Sequence, residues 1–333
     1  MSLGNLLAAP FAFIFFLFAS FWPWDTDPNQ IKKSSFEIPH DPSLLKALRV
    51  ALFYEKPEVR VDLSSPYELR QVPGNQLLNQ GLLLPSVVIR PDPSGIRVGS
   101  VLYPTSGIRL VTQTREIQIE KKKYHNAVQI LKNPGGTLTV VNEIDVEDYL
   151  KGVLPLESHP SWPEEALKAQ AVVSRTYAIF KSIENQNFPF VLSSDVGSQV
   201  YGGKTIEQSS TTRAVEKTRG EILTYRGKIF PAFFHSTCGG RTTRADSQWK
   251  IEPHPSLMGG ECSFCGGSKF FVWKTEFSGF EIQPAKRIFP MQLTKHCGWM
   301  PCSILGKHAM HFSEVPVMGL KNTFLYGHAR THS

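Results

Sequence analysis

The sequence predicts an α+β fold: a β-rich domain with a central buried helix, preceded by an N-terminal membrane or signal segment. Three observations carry this. Short alternating or β-branched runs, separated by Pro, Gly, Ser and Asn, fill the stretch from Leu48 to Val141. A long run of helical period, small or apolar nearly all round, follows Ser161. The stretch Leu3 to Trp24 contains no charged side chain.

In chain order, Leu3–Trp24 comes first. About 20 apolar residues cross a bilayer as a helix, and tryptophans such as Trp22 and Trp24 suit its interface. The segment reads as an export signal or an uncleaved anchor, with a buried N-terminal helix as the alternative. A positive leader is missing apart from the α-amino group, and Lys32-Lys33 follow the segment, so its orientation is weakly specified. Pro23 to Ser43 reads as a polar, proline-containing linker.

Strands are expected at Leu48–Phe53, Glu58–Leu63, Ser86–Arg90, Gly107–Val111, Ile117–Glu120, Ala127–Leu131 and Leu138–Val141. The last two are joined by Asn133-Pro134-Gly135-Gly136, whose residues suit tight turns. With 333 residues, 41% hydrophobic and 20% charged, the chain suffices for one large or two modest domains. A net charge of +7 favours an anionic partner. No nucleic-acid motif is present, and the basic triplet Lys121-Lys122-Lys123 reads as a solvated edge.

The densest stretch is Asp145–Ser182. It predicts a short helix ending near Val153, a loop carrying Glu157 between Pro155 and Pro160, and one long helix. Ser161-Trp162-Pro163-Glu164 fits a capping box that opens the long helix. Ala166, Ala169, Val173, Tyr177 and Phe180 recur at helical spacing, with Ala171 and Ala178 on the opposite side. Gln170 and Arg175 stand out as polar groups that burial would oblige to pair, which favours scaffold groups that fix the loop over chemical groups. From the residues alone, Glu157 is either a carboxylate held in place by its prolines or an ordinary solvated one.

After this helix, Ser194 to Gly203 forms a glycine-rich loop, Thr211–Gly220 a helix with a glycine stop, and Ile222–Tyr225 with Ile229–Phe234 a hairpin. The hairpin delivers His235-Ser236-Thr237-Cys238. All five cysteines lie in the last third. His235-x-x-Cys238 with Cys262-x-x-Cys265 has zinc-like spacing, and four protein ligands would make a closed, structural Zn²⁺ site. Disulfides and free thiols remain open as alternatives.

The run Glu147-Asp148-Tyr149-Leu150, Gly152-Val153, Glu157, Trp162-Pro163, Glu165 to Val172 and Arg175 to Ala178 resembles the stage II sporulation protein D (SpoIID)/LytB family, across about Leu48 to Ile282. The resemblance implies a SpoIID-like domain at 48–282, with a β-rich part at 48–141 and a catalytic core at 142–282. Residues 1–24 would be a signal peptide or anchor, 25–47 a linker, and 283–333 a divergent tail. Family members include lytic transglycosylases that cut peptidoglycan glycan strands and amidase enhancers. By resemblance Glu157 is the catalytic acid/base. Arg175, Gln199, Tyr201, Ser236 and Thr237 become candidate substrate-binding residues, and His235, Cys238, Cys262 and Cys265 the ligands of a zinc ion.

The implied partners are glycan strands, whose carboxylates suit a basic chain, possible association with an N-acetylmuramoyl-L-alanine amidase, and a membrane through the N-terminal segment. The chain departs from the family pattern at Ser158-His159, where Met-Pro is usual. It departs again in the tail, where only Tyr326-Gly327-His328-Ala329 stands near the expected Gly-His-Gly motif. Cys297 and Cys302 there have only each other as evident partners. A non-catalytic glycan-binding amidase partner and a zinc hydrolase using His235 are the competing functions.

Overall fold

In the computed structural model, residues 30–39, 47–268 and 270–271 are described, together with the backbone of strands Trp273–Ser278, Lys295–Cys297, Met300–Cys302 and Asn322–Gly327. The stretch Leu3–Trp24 and the side chains of Cys297 and Cys302 lie outside the described residues. Among the described residues, no helix is long and apolar enough to cross a membrane.

Two sheets dominate. The larger has seven strands in the order Leu192–Ser193, Ala47–Lys56, Leu138–Asp145, Ala127–Lys132, Gly107–Thr112, Tyr67–Val72 and Leu77–Gly81. All of its neighbours are antiparallel except the first pair. The second is wholly antiparallel, in the order Lys122–His125, Glu116–Ile119, Val59–Leu63, Leu84–Asp92, Gly95–Val98 and Val101–Tyr103. Side chains alternate across each strand, so Val59, Val61 and Leu63 are buried while Arg60 between them is exposed. Ile108, Leu110, Ile117, Ile119, Val128 and Ile130 enter the same core from both sheets, and Tyr149, Leu150, Leu167 and Phe180 join it from the helices.

Each expected strand from Leu48 to Val141 is present within a few residues. Five more were not expected: Tyr67–Val72, Leu77–Gly81, Gly95–Val98, Val101–Tyr103 and Lys122–His125. These are short or carry polar residues in series, and their ladder partners hold them extended. Part of the stretch read as a linker is docked. Lys32 bridges to Ile251, Phe36–Glu37 pairs with Lys228–Ile229, and the Phe36 ring sits 5.1 Å from that of Phe180.

Among the described residues, four α-helices follow the main strands: α1 (Val146–Lys151), α2 (Leu154–Glu157), α3 (Glu164–Glu184) and α4 (Ser209–Lys217). Asp145 caps α1 by accepting from the Glu147 N–H at 2.9 Å. The capping box expected for α3 does not form. Pro163 is the N-cap residue, with no side-chain cap, and the Ser161 hydroxyl turns back to His159 Nδ1 at 2.7 Å. The buried stripe of α3 also differs from the expected one. Leu167, Ala171, Ser174, Arg175 and Ala178 face inward while Ala169 is exposed, so the smallest residues mark close packing and not the apolar stripe alone.

Arg175 is fully buried and paired in two places with Glu147 of α1: Nε to Oε1 at 2.9 Å and Nη2 to Oε2 at 2.7 Å. Its remaining N–H groups reach the carbonyls of Val215 at 3.2 Å and Glu221 at 3.1 Å, and the Gly220 N–H donates to Glu147 Oε1 at 3.1 Å. Both charges are thus met from three helices and the turn after α4. A buried pair that loses one member leaves an uncompensated charge, which costs about 3–5 kcal/mol. Arg175→Met is therefore expected to lower unfolding stability in urea by about that much. The double change Arg175→Met with Glu147→Gln should recover part of the loss.

Candidate active site

Glu157 is the last residue of α2. The sequence placed it in an irregular loop because prolines flank it. Instead, Pro155 occupies the first turn of α2, where a missing N–H breaks no intrahelical bond, and the backbone closes through Glu157 N to Val153 O at 3.2 Å and Ser158 N to Leu154 O at 2.9 Å. Ser158 is extended, which ends the helix and turns the chain toward Pro160.

The Glu157 carboxylate is half-buried and accepts one backbone hydrogen bond, from Val200 N to Oε1 at 3.0 Å. Burial raises its pKa from 4.5 to about 7, and the Val200 N–H offsets part of that rise by favouring the ionised form. Tyr149 of α1 and Tyr177 of α3 lie close enough for the Glu157 charge to raise their pKa values further, although burial is the main cause for both. Both remain neutral phenols.

Val200 belongs to the loop between the short strand Leu192–Ser193 and Gly203. Gln199 is fully buried. Its Oε1 accepts from the Tyr149 hydroxyl at 3.3 Å, and its Nε2 donates to the Ser174 carbonyl at 3.3 Å. Tyr201 is buried too; its ring packs 5.1 Å from that of Tyr149 and its hydroxyl donates to Asn142 Oδ1 at 3.0 Å. Two glycines let the loop come this close. A Cβ at Gly152 would sit 2.6 Å from the Tyr201 ring, and one at Gly203 would meet the Lys123 carbonyl at 2.5 Å. Gly203 also has φ +72°, a conformation open to glycine at no steric cost.

Arg175, Gln199 and Tyr201 are the residues expected to contact substrate. All three are interior groups with bonded partners, and their polar atoms are directed at the protein. Thr237 is buried as well, its hydroxyl 2.9 Å from that of Ser268, while Ser236 is exposed. Of the two departures beside Glu157, Ser158 is buried and His159 exposed. The His159 Nδ1 lies 2.7 Å from the Ser161 hydroxyl and 3.3 Å from the Ser161 backbone nitrogen. The groups missed in the sequence are the Val200 N–H, Tyr149, Ser174 and Tyr177. A backbone donor leaves no residue-type signature, and the tyrosines were indistinguishable from core aromatics.

The cysteines form a second group. The Sγ atoms of Cys238, Cys262 and Cys265 all lie within 4.8 Å of one another, with Cys238 and Cys265 at 3.4 Å, too far for a disulfide bond. Three soft donors at this separation suit a thiophilic divalent ion. His235, expected as the fourth ligand, is not among the converging atoms; burial holds its ring below the ordinary histidine pKa and therefore neutral. Of the four expected ligands, the structure brings the three thiols together.

The sequence profile of the family described as Stage II sporulation protein matches residues 134–225, which contain α1 to α4, Glu157 and the 194–203 loop but none of the cysteines. An uncharacterized protein of Brachyspira hyodysenteriae is 34% identical over 205 residues, covering 61% of this chain and 55% of that protein. The amidase enhancer of Bacillus subtilis is 41% identical over 100 residues, 30% of this chain and 13% of that one. The stage II sporulation protein D of Bacillus subtilis is 32% identical over 124 residues, 33% of this chain and 36% of that one. The chain thus spans about half or less of the length of these relatives. The segment that builds the Glu157 site is thus the part of the chain that is similar to the SpoIID family and to proteins named stage II sporulation protein D and amidase enhancer.

Proposed function

We propose that this protein remodels the cell wall as a lytic transglycosylase, cutting the MurNAc–GlcNAc bonds of peptide-stripped peptidoglycan strands. The observation that carries this is the state of Glu157: a half-buried carboxyl group with a pKa near 7, reachable from solvent and braced by one backbone N–H. Such a group is protonated often enough at neutral pH to give a proton to the glycosidic oxygen as the C1–O bond breaks. The resulting carboxylate takes the proton of the muramic acid 6-hydroxyl as that oxygen bonds to C1. One carboxyl group thus serves twice, water is not consumed, and the product is a 1,6-anhydro end. Hydrolysis would call for a second carboxylate. Glu164 and Glu165, the nearest in sequence, are exposed and ion-paired with Lys217 and Lys168.

The apolar, uncharged stretch Leu3–Trp24 supports export to the wall, as a periplasmic or membrane-anchored protein. Cys238, Cys262 and Cys265 would hold a structural Zn²⁺ that braces the segment after the hairpin. Chemistry at that ion is not part of this reading. The second reading is a non-catalytic partner that binds glycan and stimulates an amidase, favoured by the likeness to the Bacillus subtilis amidase enhancer and by the burial of Arg175, Gln199 and Tyr201.

Four measurements test these readings. Mass spectrometry of denuded glycan strands incubated with the full-length chain should show anhydro-muramic ends, and Glu157→Gln should abolish them. Intact glycan with both proteins, alongside raised amidase turnover, replaces the first reading with the second. The cleavage rate should fall as pH rises through about 7, as the acid form is lost. Because the folded pKa lies above the unfolded one, the native chain should also lose thermal stability relative to Glu157→Gln between pH 4.5 and 7; parallel melting curves across that range would contradict the buried acid. Elemental analysis of the purified chain should find zinc, and Cys262→Ser should lower it, whereas metal-free protein with an oxidised thiol pair would favour a disulfide.

A further inference from the structure

We infer that Gln199 is a positioning residue for the acid/base, acting through the backbone of its neighbour: the buried Tyr149–Gln199–Ser174 bonds aim the Val200 N–H at the Glu157 carboxyl group. The inference rests on the reading of Glu157 as the acid/base, and it gives Gln199 a role other than contact with sugar.

The geometry is a short relay. The Tyr149 hydroxyl donates to Gln199 Oε1, and Gln199 Nε2 donates to the Ser174 carbonyl, so one side chain is held from α1 and α3 at once. Ser174 is steadied in turn, its hydroxyl accepting from Gln170 Nε2 at 3.1 Å. An amide held at both ends cannot rotate without leaving a buried donor or acceptor unpaired. The peptide that follows is then fixed, and its N–H, that of Val200, meets Glu157 Oε1 at 3.0 Å. Glu157, at the end of a helix of one turn, depends on this outside contact for its orientation.

The relay has a chemical consequence. A donor aimed at a carboxylate favours the ionised form and opposes the effect of burial. Gln199 therefore keeps the acid from becoming too weak to release its proton and orients the lone pairs that later receive one. Among the described residues, the titratable side chains that feel the Glu157 charge are Tyr149 from α1 and Tyr177 from α3, both pushed up by burial and neutral across the working range. His159, two residues on, has its Nδ1 turned to Ser161.

The test is direct titration of Glu157 by NMR in the full-length chain, with carboxyl-labelled glutamate assigned through Glu157→Gln and with valine amides labelled to follow Val200. In the native chain both signals should titrate together near pH 7. In Gln199→Met, similar in shape but without the amide, the Glu157 midpoint should rise by about one unit and the Val200 amide should cease to follow it. Tyr149→Phe removes one hydroxyl with little change of shape, and should move the midpoint the same way by a smaller amount. It decides the matter if Gln199→Met does not fold. Unchanged midpoints in folded variants, with Val200 still following Glu157, overturn the positioning role. Cleavage measured in parallel separates the two levels: a chain that never cuts glycan, yet whose Glu157 midpoint moves with Gln199, refutes the transglycosylase reading and leaves the relay standing.

Discussion

The arrangement depends first on the ion pair between Glu147 and Arg175. Taking both charges out of water carries a large desolvation cost, which is offset only where geometry is good and every remaining donor is met. Here the guanidinium is shared between a carboxylate on α1 and carbonyls at the end of α4 and in the turn beyond it, while the carboxylate also accepts from Gly220. An apolar pair of the same volume would fill this space without dictating how the three helices meet. The directional bonds do dictate it, and they set the crossing of α1 and α3, between which α2 and its terminal Glu157 are strung.

Chemistry and stability pull against each other at this point. The burial that raises the Glu157 pKa also makes its ionised form costly in the folded chain at neutral pH and above. The fold tolerates this at the end of a one-turn helix because the surroundings are rigid. Tyr149 and Tyr201 pack ring to ring, the 194–203 loop closes over Gly152, and the sheet strand Leu138–Asp145 supplies Asn142 as an anchor for the Tyr201 hydroxyl. The two-sheet body thus contributes to the site indirectly, as a fixed wall against which the loop and α1 are set.

The cysteine group stands outside the segment matched by the family profile, after the hairpin, where the described elements are only short strands and single-turn helices. Segments with little regular structure bury few apolar groups and benefit from a cross-link. Thiolates gathered around a divalent ion provide one without the strict separation that a disulfide demands.

Glu157 was singled out by the resemblance of the run around it to a known family; by itself, the sequence determined the strand-rich half, the positions of α1, α3 and α4 to within a few residues, and the grouping of the cysteines. These follow from period, turn chemistry and unusual residue types, all local properties of the chain. Only the tertiary structure decided what the polar residues around Glu157 do. Arg175, Gln199 and Tyr201 have the chemistry of ligand-binding side chains and are interior groups instead, because their partners, Glu147, Ser174 and Asn142, come from other elements. The capping box at Ser161 failed for a like reason, since a histidine two residues upstream competes for the same hydroxyl. The N–H that Val200 turns to Glu157 is common to every non-proline residue, and only the path of the loop through space made it the donor to that carboxylate.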